Sequence, residues 1–323
     1  MTVHPSETQQ VHQATAARGG FGAYARLSGA AFAWGGGAVA VKYAVTAMPP
    51  VTTAVARYLI AATILLTLLA VGRRPLPRRG DLPLLALMGF TGAFGFAIPF
   101  NIGLQFTGAG EGSVLTAFSP FISFVFAAWL LGDPLTMRRV TAGVISLVGV
   151  LLLVVGGPQP SDTGANRLVG DLLVLVAAFN WGVYSVLVRV IQRRGVELLD
   201  MTTWSVVFGV LLMALVAPFD SRPIVWSAIG PDVVLAVVYA GVVSTVLAYL
   251  WWNEGVRRIG PPRASLFTNL NPIVGIGIAA VLFGERFLPL QAVGTVLILS
   301  GLLIANLQPA AVARLSRRIT RTD

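Results

Sequence analysis

Three basic side chains of this 323-residue sequence lie inside apolar stretches rather than beside them: Lys42, Arg57 and Arg189. A charge at bilayer depth is expensive and marks a solute or ion path by default. Lys42, the only lysine, can hold a carboxylate or phosphate of a solute. It can equally reach back to the near end of its helix, its stem covered by apolar neighbours. Arg57 lies about two turns inside its stretch, where it can meet a solute or pair with another helix. Arg189 has the same outward reach as Lys42 and is the weaker candidate.

Uncharged polar groups gather around two prolines. Ser119 precedes Pro120, and Thr268, Asn269 and Asn271 precede Pro272. A proline inside a helix frees the carbonyl four residues back, here those of Thr116 and Thr268. Freed backbone at membrane depth is tolerated where it faces protein or a wet cavity. Pro120 and Pro272 are therefore candidate hinges and their polar neighbours candidate substrate ligands. A packing kink satisfied by threonine hydroxyls is the other reading. Trp34 is followed by three glycines, and Trp181 stands beside Asn180 and Gly182, with Tyr184 on the next turn. These rings can stack on a solute or close its path, or sit in the aromatic belt of the interface. Asn101, Gln105 and Tyr249 complete the candidate substrate-binding set, as ligands or as solvated groups near helix ends.

Other chemistries lack their parts. There is no Cys, and the two histidines, His4 and His12, lie in the polar start of the chain. Glu111, Asp133, Glu254 and Glu285 all fall at helix ends. No metal site, no cofactor and no buried nucleophile with its base is expected, so the chain does not read as an enzyme. Coupling to protons through a buried acid has no residue to carry it. A channel would need a ring of charges or carbonyls, and repeated mid-helix prolines suit a rocking carrier better.

The elements that position these residues follow from composition. The sequence is 56% hydrophobic and 11% charged, with a mean hydropathy of +0.80. A soluble domain carries about 25% charged residues. A helix needs about 20 apolar residues to span a bilayer. Ten such stretches occur, at 27–47, 51–71, 82–106, 112–131, 138–156, 168–191, 201–219, 232–252, 262–283 and 288–308. The net charge of +10 does not point to nucleic acid, because the arginines sit in short clusters between these stretches. Placing the N-terminus in the cytoplasm puts 17 of the 23 basic residues in cytoplasmic segments and three, Arg167, Arg222 and Arg286, outside. That asymmetry predicts a multi-pass protein of a bacterial inner membrane with both termini cytoplasmic.

The second half repeats the first. A shift of 152 residues places Gly89 on Gly241, Asn101 on Asn253, Gly103 on Gly255, Thr116 on Thr268, Pro120 on Pro272, Gly132-Asp133 on Gly284-Glu285 and Gly149 on Gly301. The first and sixth stretches match at a slightly different shift, Trp34-Gly35 with Lys42 against Trp181-Gly182 with Arg189. Five helices per repeat is an odd number, so tandem copies must face opposite ways. Inverted repeats are a recurrent plan of secondary transporters, with the site near the midplane between them. The expected fold is thus an all-α polytopic membrane protein of ten transmembrane helices in two inverted five-helix repeats.

From about Leu27 to Leu307 the sequence resembles the drug/metabolite transporter superfamily, in particular its EamA-like branch. The likeness rests on the five-plus-five layout, on Trp34, Gly35 and Lys42, on Pro49, Pro50 and Arg57, and on the segments from Pro120 to Asp133 and Pro272 to Glu285. Asp133 stands where that family more often has Glu. The resemblance implies EamA-like repeats over 26–157 and 168–308; the polar composition of 1–25, the Gly- and Pro-rich segment 158–167 and the arginines of 309–323 read as a disordered cytoplasmic tail, an external linker and a basic cytoplasmic tail. It implies a secondary transporter, an exporter of a small polar metabolite such as an amino acid, working by alternating access. Efflux of drugs or toxic compounds, or translocation of lipids or nucleotide sugars, are the alternatives on the same fold. The implied partners are a small-molecule solute and the lipid bilayer.

Overall fold

A computed structural model describes residues 7–108, 112, 115–134, 136–156, 164–220, 223–271, 274, 278, 281 and 288–306. Among them the chain is helical, without strands. Ten segments follow in order: α1 Glu7–Ala47, α2 Pro50–Val71, α3 Arg79–Gly103, α4 Thr116–Leu131 and α5 Met137–Gly156, then α6 Gly164–Arg193, α7 Leu198–Phe219 and α8 Pro231–Ile259. α9 opens over Pro261–Ala264 and tightens to a 3-10 turn over Ser265–Leu270, and α10 is Pro289–Asn306. The chain is an all-α polytopic membrane protein, its ten helices arranged as two inverted five-helix repeats. α2, α3, α6, α7 and α8 are each long and apolar enough, taken alone, to cross a bilayer.

Two expected boundaries move. α1 begins at Glu7, so most of the expected disordered segment 1–25 is helical, extending the apolar helix through a run of Gln and Ala that favours helix. α6 begins at Gly164, inside the expected linker. Arg167 is buried there, with its guanidinium 3.9 Å from the carboxylate of Asp171 one turn on, and is no loop charge. Pro272, Glu285, Arg222, Arg286 and the tail 309–323 lie outside the described residues.

The repeat survives as paired contacts between helices. Gly35 on α1 lies against Asn271 and Val274, and its counterpart Gly182 on α6 against Ser119 and Ile122. Gly89 on α3 meets Ser205 and Phe208 of α7, while Gly241 on α8 meets Arg57 and Ile60 of α2. Gly103 lies on Val174, Gly255 on Leu27. Gly149 of α5 packs on Gly294 and Ile298 of α10, and Gly301 of α10 on Ala142 and Ser146 of α5. Each contact maps onto its mate when the halves are exchanged. Glycines are used because a Cβ would strike the facing helix: at Gly241 it would stand 2.9 Å from the Arg57 carbonyl oxygen. In lipid, such close approach is a main source of helix association.

Both α3 and α8 widen into a π-turn immediately after the matched glycines, over Phe90–Phe94 and Val242–Leu247. In α8 the hydroxyl of Thr245 donates to the carbonyl of Ala240, five residues back, at 2.8 Å. π-turns re-aim side chains and recur at functional sites. Here they lie where α3 and α8 pass the interface of the halves.

Candidate functional site

A cavity of about 580 Å³, counted out to its open side, lies between the repeats. Its wall is mostly apolar and aromatic: Trp34, Gly37 and Ala38 of α1, Tyr58 of α2, Phe96 and Phe100 of α3, Trp181 of α6 and Tyr249 of α8. The polar part comes from Arg57, Thr116, Ser119, Ser244, Thr245, Thr268 and Asn271. An apolar wall and a few convergent polar groups are the usual make-up of a small-molecule site.

Arg57 is the charged member. It is 5% exposed, and its guanidinium lies 4.8 Å from the centre of the Tyr58 ring. Its Nε has no hydrogen-bond partner, and no acid pairs with it among the described residues. Arg57 is held in place by backbone, because Gly241 lets α8 close against its carbonyl.

The polar groups of the opposite wall come from the helix starts flanking the expected hinges. Ser119 and Thr268, whose repeat mates are Asn271 and Thr116, face each other with their hydroxyl oxygens 3.5 Å apart. The Thr268 hydroxyl donates to the Ser265 carbonyl at 2.6 Å. Asn271, its amide oriented to donate, reaches the Ala31 carbonyl at 2.9 Å. Pro120 differs from expectation. It occupies the first turn of the α-helical part of α4, after a 3-10 turn over Thr116–Phe118, so the helix changes from the tighter to the regular form at this proline. Pro is tolerated there because the missing donor would be unpaired anyway.

One end of the cavity is closed by rings. Trp34 and Trp181 meet edge to face with centroids 4.9 Å apart. Trp252 packs 5.2 Å from Trp34, and Tyr184 and Tyr249 pack 5.0 and 5.3 Å from Trp181. Behind them Leu27, Leu85, Ile191 and Val256 fill the end of the bundle where α1 and α3 begin and α6 and α8 finish. Most polar edges of the rings are paired, whereas the indole N–H of Trp252 is buried without a partner among the described residues. Trp34 donates to the Ser244 carbonyl at 2.8 Å, the Tyr249 hydroxyl donates to the Gly92 carbonyl, and Tyr184 and Asn253 are hydrogen-bonded at 3.1 Å. The two repeats differ here. At equivalent positions Tyr184 corresponds to Gly37, Tyr249 to Ala97 and Trp252 to Phe100. The contact of Gly37 with Ser244 is the mate of that between Tyr184 and Gly92, with large and small residues exchanged.

Of the residues singled out in the sequence, the structure brings Trp34, Arg57, Ser119, Trp181, Tyr249, Thr268 and Asn271 to one cavity wall. Tyr184 lies one layer behind it, fully buried. Lys42 is elsewhere: its ammonium donates to the carbonyls of Leu104 at 2.6 Å and Thr107 at 2.8 Å, the open carbonyls where α3 ends. Asn101 is also structural, donating to the Pro50 carbonyl at 3.0 Å. Asn180 donates to its own helix at Val176 and packs on Gly95. Gln105 is half-buried in the turn after α3. Asn269 is buried with neither amide atom bonded, off the cavity wall. The wall also contains Tyr58, Phe96, Phe100, Ser244 and Thr245, which the sequence reading passed over. Ser244-Thr245 carries a signal, as a hydroxyl pair midway along the apolar run from Val233 to Leu250.

The model of the EamA-like transporter family matches this chain over residues 23–155 and again over 168–307. The chain is 30% identical to "Uncharacterized transporter YyaM" of Bacillus subtilis over 82% of its own length and 87% of that protein. It is 29% identical to a "Probable terminal-alkyne amino-acid exporter" of Streptantibioticus cattleyicolor, covering 76% and 81% of the two chains. It is 28% identical to a "Probable amino-acid metabolite efflux pump" of Salmonella typhimurium, covering 84% and 90%. A solved crystal structure superposes with a TM-score of 0.67 at 21% identity, over 90% of this chain and 97% of the other, which shows the shared fold.

Proposed function

From the premise that this chain belongs to the EamA-like transporter family, and so to the drug/metabolite transporter superfamily, we propose that it exports a small polar metabolite of the amino-acid type by alternating access. The observation that carries this is the cavity between oppositely facing halves, polar where Arg57, Ser119, Thr268 and Asn271 converge and sealed at one end by rings. An inverted pair of repeats supplies two related tilts, each opening the cavity to one side. The amino-acid solutes named for two relatives agree with a site that offers a guanidinium, hydroxyls and aromatic wall.

In this reading Trp34, Arg57, Ser119, Trp181, Tyr249, Thr268 and Asn271 touch solute, and the 3-10 turns before Pro120 and through Ser265–Leu270 flex as the halves rock. Both termini lie in the cytoplasm of a bacterial cell, because the positive loop charge gathers on that side of the inner membrane. The repeats span 26–157 and 168–308.

A strain overproducing the protein, screened against toxic amino-acid analogues, should gain resistance that Arg57→Gln abolishes at an unchanged membrane level. In proteoliposomes, flux should saturate and be stimulated by solute on the far side. Linear flux without trans-stimulation would replace the carrier by a pore.

A further inference from the structure

We propose that the occupant of the cavity is a monoanion, a carboxylate on an apolar body without a free ammonium, with Arg57 as its counter-ion. The proposal rests on the carrier reading above and, within the amino-acid type proposed there, narrows the solute to derivatives whose amine is blocked or absent; preferred export of a free amino acid would overturn it and leave the carrier reading standing.

The argument is one of charge. Arg57 is 5% exposed, aimed into the cavity, and has no hydrogen bond at Nε and no acidic partner among the described residues. The Tyr58 ring 4.8 Å away offsets only part of the cost of this buried cation, and without an acid beside it the rest goes unrelieved. No carboxylate lines the cavity among the described residues. A monoanion would therefore make the loaded site neutral. A zwitterion would leave it with a net positive charge at bilayer depth, and a cation would double that charge.

An ammonium would find no carboxylate on the described wall to pair with, and Arg57 would repel it. A guanidinium, by contrast, is the side chain best shaped to take a carboxylate through two hydrogen bonds, and the apolar wall can cover the rest of such a solute.

The cavity tryptophans Trp34 and Trp181 report on occupancy by their fluorescence. The test uses three non-fluorescent probes on the purified full chain: N-acetyl-L-leucine as monoanion, L-leucine as zwitterion and L-leucinamide as cation. N-acetyl-L-leucine should change the fluorescence saturably and show trans-stimulated counterflow in proteoliposomes. L-leucine should bind at least about tenfold more weakly, and L-leucinamide more weakly still. Arg57→Gln should weaken N-acetyl-L-leucine by at least about 30-fold, the range for removing one partner of a buried charged pair. Arg57→Lys should recover part of it. Saturable counterflow of L-leucine or L-leucinamide at equal or higher affinity would overturn the monoanion class and leave the carrier standing. Absence of saturable counterflow for all three would overturn the carrier reading, and this proposal with it.

Discussion

The phenol oxygen of Tyr249 on α8 lies 2.8 Å from that of Tyr58 on α2, tying the second repeat to the first one residue from Arg57. Tyr249 has one proton, and it goes to the Gly92 carbonyl. Tyr58 must therefore be the donor of the inter-repeat bond. The resulting chain, Tyr58 to Tyr249 to Gly92, joins α2, α8 and α3 at the cavity wall.

Tyr249→Phe should then cost more than Tyr58→Phe. The first leaves a buried hydroxyl and a buried carbonyl unpaired, for about 1–3 kcal/mol, and the second removes only the terminal donor, for about 0.5–1.5 kcal/mol. Denaturant unfolding in detergent measures both. The reverse order would mean that the hydrogen bonds run the other way.

Lys42→Met should destabilise the protein without changing solute affinity. The ammonium closes two open carbonyls at the end of α3, and hydrogen bonds to charged groups are worth about 1.5–3 kcal/mol each. A lower melting temperature with an unchanged half-saturation constant is expected. An unchanged melting temperature with weaker solute affinity would return Lys42 to the binding set.

Gly149→Leu and Gly301→Leu should have matched effects, because each drives a side chain into the other helix of the α5–α10 pair. Overpacking of this kind costs about 1–3 kcal/mol. Both variants should melt earlier, while transport per folded molecule stays near that of the unmodified chain. A loss confined to one of them would break the equivalence of the repeats.

Because the chain has no Cys, single substitutions label cleanly. Leu76→Cys, in the exposed segment between α2 and α3, should react with impermeant maleimide only from the cytoplasmic side. Ser227→Cys, between α7 and α8, should react only from outside. Swapped labelling would invert the orientation read from the arginines.

The layout of this molecule is written in patterns that survive without coordinates. Apolar length shows the spans, and the 152-residue offset anticipates that Gly89 and Gly241, or Gly149 and Gly301, make equivalent contacts. The direction in which a polar side chain points does not survive, because it depends on how each helix is rotated against its neighbours. Lys42 and Arg57 look alike in the sequence, yet one closes a helix end and the other faces the cavity. The π-turns also left no readable mark: Phe90–Phe94 and Val242–Leu247 read as ordinary apolar helix, and by shifting register they carry Ser244 and Thr245 to the wall. Phe96 and Phe100 were missed because an apolar wall and an apolar core have one composition.

Tyr184 and Tyr249 stand where the other repeat has Gly37 and Ala97, and Trp252 where it has the smaller ring of Phe100, so the two halves differ in side-chain volume around the cavity. Parting the rings would wet surfaces that are now dry, at on the order of 2 kcal/mol for each large apolar side chain uncovered. If the halves rock as proposed, that cost falls on one tilt and not on its mate, and side-chain volume alone would then bias one direction of movement.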